Sequence, residues 1–105
     1  MKLVRDNIPE IIEASGKNCT WRYCNGRDEH AVFLGLKMAE EVQEFLQSPS
    51  LEEAADMYEV LVAMIQSSGY DFDSVVRTAS AKRFERGGFG RGIILKEVRD
   101  RSEDA

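Results

Sequence analysis

KMAEEVQEFLQSPSLEEAADMYEVLVAMI, residues 37–65, decides the fold. It reads as two helical segments broken at Ser48-Pro49-Ser50. Each segment carries a pair of acids three residues apart. The first is Glu41-x-x-Glu44, with Glu40 directly before it, and the second is Glu53-x-x-Asp56. Residues at this spacing share a helix face, with Cβ atoms about 5–6 Å apart, so each pair aims at one point. Two helices joined by a short turn pack antiparallel, and four carboxylates then meet in the groove between them.

The helical period sorts the faces. In the first segment, Leu34, Met38, Val42 and Phe45 form an apolar stripe. Glu41 is expected at its edge, Lys37 and Glu44 just beyond, and Glu40 further out. In the second, Glu53 and Asp56 share a side with Val60, Ala63 and Met64, while Glu52, Glu59 and Gln66 recur every seven residues on the polar side. Glu53 and Asp56 are therefore expected to point inward. A buried carboxylate is costly unless it is paired, protonated or bound to a metal. Ser50 and Glu53 also fit a capping box, which accounts for Glu53 without a ligand but leaves Asp56 unexplained.

An all-oxygen donor set with no His or Cys among the acids disfavours iron and zinc. It suits Mg²⁺, with Mn²⁺ or Ca²⁺ as alternatives. Mg²⁺ keeps waters and binds substrate phosphates, so the pattern points to phosphate-ester or anhydride chemistry.

Outward from this stretch, Asp6 or Asn7 is expected to cap a short helix over 9–15 that Gly16 closes. KNCTWRYC (17–24) reads as extended, and Asn25-Gly26 as a turn. A long helix is expected over 29–46 with Asp28 as cap, and a third running to about Gln66 that Ser67-Ser68-Gly69 ends. Asp71 or Asp73 is expected to cap a fourth helix through Phe84, with Phe72, Val75, Val76 and Ala79 on its buried side. GIILKEV (92–98) reads as a strand that can pair with 17–24 in a small β-ribbon, and residues 99–105 as a frayed tail. The fold class expected is mainly α: one domain over 1–105, a bundle of about four helices.

A net charge of −5 offers no broad basic surface, so no nucleic-acid polymer is expected as partner. No apolar run approaches a membrane span of about 20 residues, so no membrane is expected either. The charged start MKLVRDNIPE has no apolar signal core, and Cys19 and Cys24 make no disulfide framework. A reduced, cytoplasmic chain is expected. His30, the one histidine, reads as an exposed first-turn residue. Trp21 and Tyr23 suit either a core or base stacking. Around Arg83-Phe84-Glu85-Arg86-Gly87-Gly88-Phe89-Gly90, arginines beside glycines suit phosphate oxygens or simply a basic turn. The Lys-Ser/Thr ending of a P-loop is missing.

KLVRDNIPEII, LKMAEEVQEF, EEAADMYEVLVAM and KRFERGGFGRGIIL occur in this order along nearly the whole chain. Together they resemble the MazG-type all-α nucleotide pyrophosphohydrolases, including phosphoribosyl-ATP pyrophosphohydrolase-like proteins. Only eight residues, 45–52, separate Glu44 from Glu53, where many relatives have a longer insert that shapes the pocket. The resemblance implies a Mg²⁺-dependent enzyme that cleaves a nucleoside triphosphate to monophosphate and pyrophosphate, with a house-cleaning role in the nucleotide pool. It also implies a dimer or tetramer whose paired helices complete the bundle. Glu41, Glu44, Glu53 and Asp56 are the expected metal ligands, and Glu40, Glu41 and Glu44 the expected catalytic acids. Lys37, Arg5, Lys82, Arg83 and Arg86 are the expected phosphate-binding cations. The competing expectations are a phosphoribosyl-ATP substrate, or a non-catalytic helical dimerisation module.

Overall fold

The computed structural model describes residues 1–104; Ala105, the end of the expected tail, lies outside the described residues. The described chain folds as two units, one over residues 1–72 and one from Asp73 onward.

The first unit holds α1 (Ile8–Ala14), α2 (Gly26–Gln47) and α3 (Leu51–Ser67). Pro9 sits in the first turn of α1, where its missing N–H costs nothing. Gly16 takes φ +88° just past the helix. The N–H groups of Gly16 and Lys17 then donate to Glu13 O and Ile12 O at 3.0 and 3.3 Å. Gly69, at φ +82°, closes α3 in the same way, with the Gly69 and Tyr70 N–H groups donating to Gln66 O and Ile65 O.

The long helix α2 starts three residues earlier than the sequence suggests. Asp28 lies inside its first turn rather than at its cap. Glu29 explains the difference. Its Oε1 accepts the backbone N–H of Asn25 at 2.8 Å and a 2.6 Å bond from Arg22 Nη1, so the first turn is held from residue 25. Arg22 and Asn25 hold the Glu29 carboxyl below the usual carboxylate range. Ser48-Pro49-Ser50 then reverses the chain. Ser50 caps α3, its hydroxyl accepting the Glu53 N–H at 3.1 Å.

Helices α2 and α3 pack on each other as a hairpin. The core between them is thin: Leu34, 3 % exposed, and Val60, 9 % exposed, are the only buried apolar side chains among the described residues. Val32, Leu36, Leu46, Tyr58 and Leu61 remain exposed on the same two helices. Tyr58 meets Phe72 edge-on at 5.6 Å.

The second unit contains all of α4 (Phe72–Arg86) but its first residue, and a short 3₁₀ turn, Arg101–Asp104, where fraying was expected. The expected buried side of α4 is not realised. Phe72 and Val75 are half-buried, Val76 and Ala79 are exposed, and no residue of the helix is buried. Its charges, Asp73, Arg77, Lys82, Arg83, Glu85 and Arg86, fall all around the cylinder, leaving no wide apolar stripe. The expected β-ribbon does not form. Neither 17–24 nor 92–98 is a strand, and Ile93, Ile94, Leu95 and Val98 are exposed. Strand propensity needs a partner backbone to act on. The described chain is mainly α, with four helices and no strand.

Candidate metal centre

The acids meet beside the bend of the hairpin. One carboxylate oxygen each from Glu41, Glu53 and Asp56 lies within 4.8 Å of the other two. Glu41 comes from the last third of α2; Glu53 and Asp56 come from the first two turns of α3.

Glu41 is the centre of the group. It is 5 % exposed, the one buried charged side chain among the described residues. The sequence reading set it at the edge of the apolar stripe. In the structure it sits on the seam, because 34, 38, 41 and 45 follow the alternating three- and four-residue steps that face a partner helix. Its Oε1 lies 3.3 Å from Lys37 Nζ, which also stands 3.6 Å from Glu40 Oε1. Its Oε2 is buried with no hydrogen-bond donor, and so is Glu53 Oε2. A buried unsatisfied polar group costs about 1–3 kcal/mol, more when charged. Two such oxygens, on two of the converging residues, are groups that a cation, a proton or a water can satisfy.

Asp56 is half-buried as the α3 period predicts, while Glu52, Glu59 and Gln66 are exposed. Arg5 Nη2 donates to Asp56 Oδ1 at 2.8 Å, a contact across 51 residues that no local pattern announces. Glu44 is exposed, one turn along from Glu41. The Glu41 charge first, then loss of hydration and the charges of Glu53 and Glu40, hold its carboxyl above the usual range. Glu40 is half-buried beside Lys37.

The expected phosphate-binding cations divide. Lys37 and Arg5 stand at the acid cluster, each already on a carboxylate. Lys82, Arg83 and Arg86 are exposed on α4 in the second unit. Trp21 and Tyr23 meet edge-on at 5.1 Å and line a broad open groove with Arg5, Ile8, His30 and Phe33.

All donors in the cluster are carboxylate oxygens, and two of its residues, Glu41 and Glu53, each bury an oxygen that has no hydrogen-bond donor. That set fits a hard divalent cation such as Mg²⁺ or Mn²⁺ and lacks the nitrogen or sulfur that zinc favours. Among the described residues no helix is long and apolar enough to cross a membrane, and both cysteines are free. Comparison with known proteins finds no matching family model, no matching curated protein and no matching solved structure.

Proposed function

We propose that the chain is a Mg²⁺-dependent hydrolase that cleaves nucleoside triphosphates between the α- and β-phosphates, releasing a monophosphate and pyrophosphate. The observation that carries the proposal is that Glu41, whose Oε2 is buried without a donor, is one of three acids with carboxylate oxygens within 4.8 Å of one another. The order of sequence motifs resembling MazG-type pyrophosphohydrolases supplies the substrate class.

In this scheme Glu41, Glu53 and Asp56 hold the ion, with Glu44 at the open side. Bound there, the ion supplies neutralisation of phosphate oxygens and a more acidic water. Glu44, exposed and one turn along from Glu41, is the best-placed proton acceptor. Glu40 is the weaker candidate, because Lys37 already offsets its charge. Arg5 and Lys37 flank the cluster and suit the oxygens of an anionic substrate. Lys82, Arg83 and Arg86 remain candidates for phosphate charge on residue type alone. A second copy of the chain, as dimer or tetramer, belongs to the same proposal, since the thin core leaves Val32, Leu36, Leu46 and Leu61 uncovered.

Those uncovered side chains also favour a second reading, a helical dimerisation module without catalysis. A pyrophosphate-release assay with Mg²⁺ over ribo- and deoxynucleoside triphosphates and phosphoribosyl-ATP separates the two. Turnover of triphosphates is expected, and Asp56→Asn is expected to abolish it while leaving the helical circular dichroism intact. Release from phosphoribosyl-ATP alone moves the substrate to that compound. No release from any of them, or unchanged turnover in Asp56→Asn, rules out the hydrolase at this cluster.

A further inference from the structure

Arg5 makes an ion pair that the proposed chemistry does not require. Its guanidinium donates to Asp56 Oδ1 at 2.8 Å, and Asp56 is one of the three carboxylates that converge. The segment bearing Arg5 lies along α2. Met1, Lys2 and Leu3 face Phe33, Leu36, Lys37 and Glu40 across a hollow of about 150 Å³. Ile8 N–H closes on Arg5 O at 3.1 Å, so the backbone at Arg5 is tied to the start of α1. Leu3 and Val4 are half-buried, while Arg5 itself is exposed. The backbone is thus anchored on both sides of a side chain that is free to leave.

The two cations at the cluster are not equivalent. Lys37 is one turn from Glu41 on the same helix and 18 % exposed, so its side chain has less room to leave its carboxylate. The Arg5 and Asp56 side chains are 56 % and 41 % exposed, and water can replace either partner. An Asp56 oxygen committed to a guanidinium is a poorer metal ligand, since the ion must share its negative charge.

We propose that Arg5 is a built-in counter-ion of the acid cluster, holding Asp56 in the cation-free protein and giving it up when a divalent cation binds. This rests on the metal reading above and adds to it a competition for one carboxylate. The exchange replaces the single positive charge of a guanidinium at Asp56 with the double charge of the ion. It also frees a guanidinium beside the cleft at the moment the ion is seated, in position for an anionic substrate.

The test is a Mg²⁺ titration of the full chain, read by calorimetry and by the ¹⁵N resonances of arginine Nε–H groups. Exposed ion pairs contribute little, so Arg5→Gln is expected to bind Mg²⁺ only about 1.5- to 5-fold more tightly than wild type. Lys2→Gln removes the same charge from the same segment and is expected to change affinity less. In wild type the Arg5 Nε–H signal is expected to move to the position of a free guanidinium with the calorimetric Kd. The Arg22 signal, held by Glu29, is expected to stay. An Arg5 signal that stays in place at saturating Mg²⁺, or weaker Mg²⁺ binding by Arg5→Gln, overturns the exchange and leaves the metal site standing. Absence of Mg²⁺ binding by wild type overturns the metal site, and the exchange with it.

Discussion

Replacing Glu41 with Gln removes one charge and almost no volume. In the structure that carboxylate places an oxygen within 4.8 Å of a carboxylate oxygen on each of Glu53 and Asp56. At that distance two unit charges repel by about 3.5 kcal/mol at an effective dielectric of 20, and by about 0.9 kcal/mol in bulk water. Lys37, at 3.3 Å, returns about 5 kcal/mol of attraction on the first scale. Those two repulsions against one attraction leave a net cost of roughly 2 kcal/mol, and the exposed Glu44 carboxylate acts in the same direction. The Arg5 pair on Asp56 and solvent at that half-exposed side chain trim it to about 1 kcal/mol. Glu41→Gln is therefore expected to melt about 4–8 °C above wild type in chelator-treated buffer, since 1 kcal/mol moves a domain of this size by about that much. Mg²⁺ should reverse the order. At a hundred times its Kd, a ligand of the folded state adds about 2.7 kcal/mol to wild type, and Glu41→Gln should lose most of that gain. Differential scanning calorimetry at one protein concentration, with and without Mg²⁺, reads both effects. If Glu41→Gln melts below wild type without cation, or keeps the full Mg²⁺ shift, Glu41 is a structural partner of Lys37 and the reasoning fails.

Two further outcomes follow from local geometry. Ser50→Ala removes the hydroxyl that accepts the Glu53 N–H and should cost about 0.5–2 kcal/mol, seen as a lower urea midpoint with unchanged slope. Glu44 takes up a proton more readily in the folded chain than in the unfolded one, where its ordinary value is 4.5. Its contribution is thus fully present below that pH and is lost as pH rises through the raised folded value. Without cation, wild-type stability should fall through this window, and Glu44→Gln should flatten the fall. Parallel pH–Tm profiles of the two proteins would falsify the assignment.

Much of the helical framework was legible because its signals are local. Ser50 as cap, Gly16 and Gly69 as closures, the break at 48–50 and the inward side of Glu53 and Asp56 each depend on residues within a turn or two. The start of α2 was misjudged because Asp28 is a fair cap by type, whereas Glu29, fixed by Arg22, secures the turn from Asn25. The strand expected at 92–98 reflected side-chain preference alone, and β structure is set by pairing across the chain. At the acid cluster, the convergence of Glu41, Glu53 and Asp56 was visible in helical spacing. The depth of Glu41 was visible only in the finer 34-38-41-45 seam, and Glu44 proved to lie outside the three-carboxylate group. The contact of Arg5 with Asp56 had no sequence signal, since it depends on how the first residues run back along α2.

The bend at residues 48–50 has a kinetic consequence. Glu41 and Asp56 are close along the chain, so bringing them together closes only a short loop and costs little chain entropy. Contacts of this kind form early, when a hairpin of helices first collapses. If the carboxylates already crowd one another at the transition state, a cation that binds them there would raise the folding rate as well as the stability of the native state.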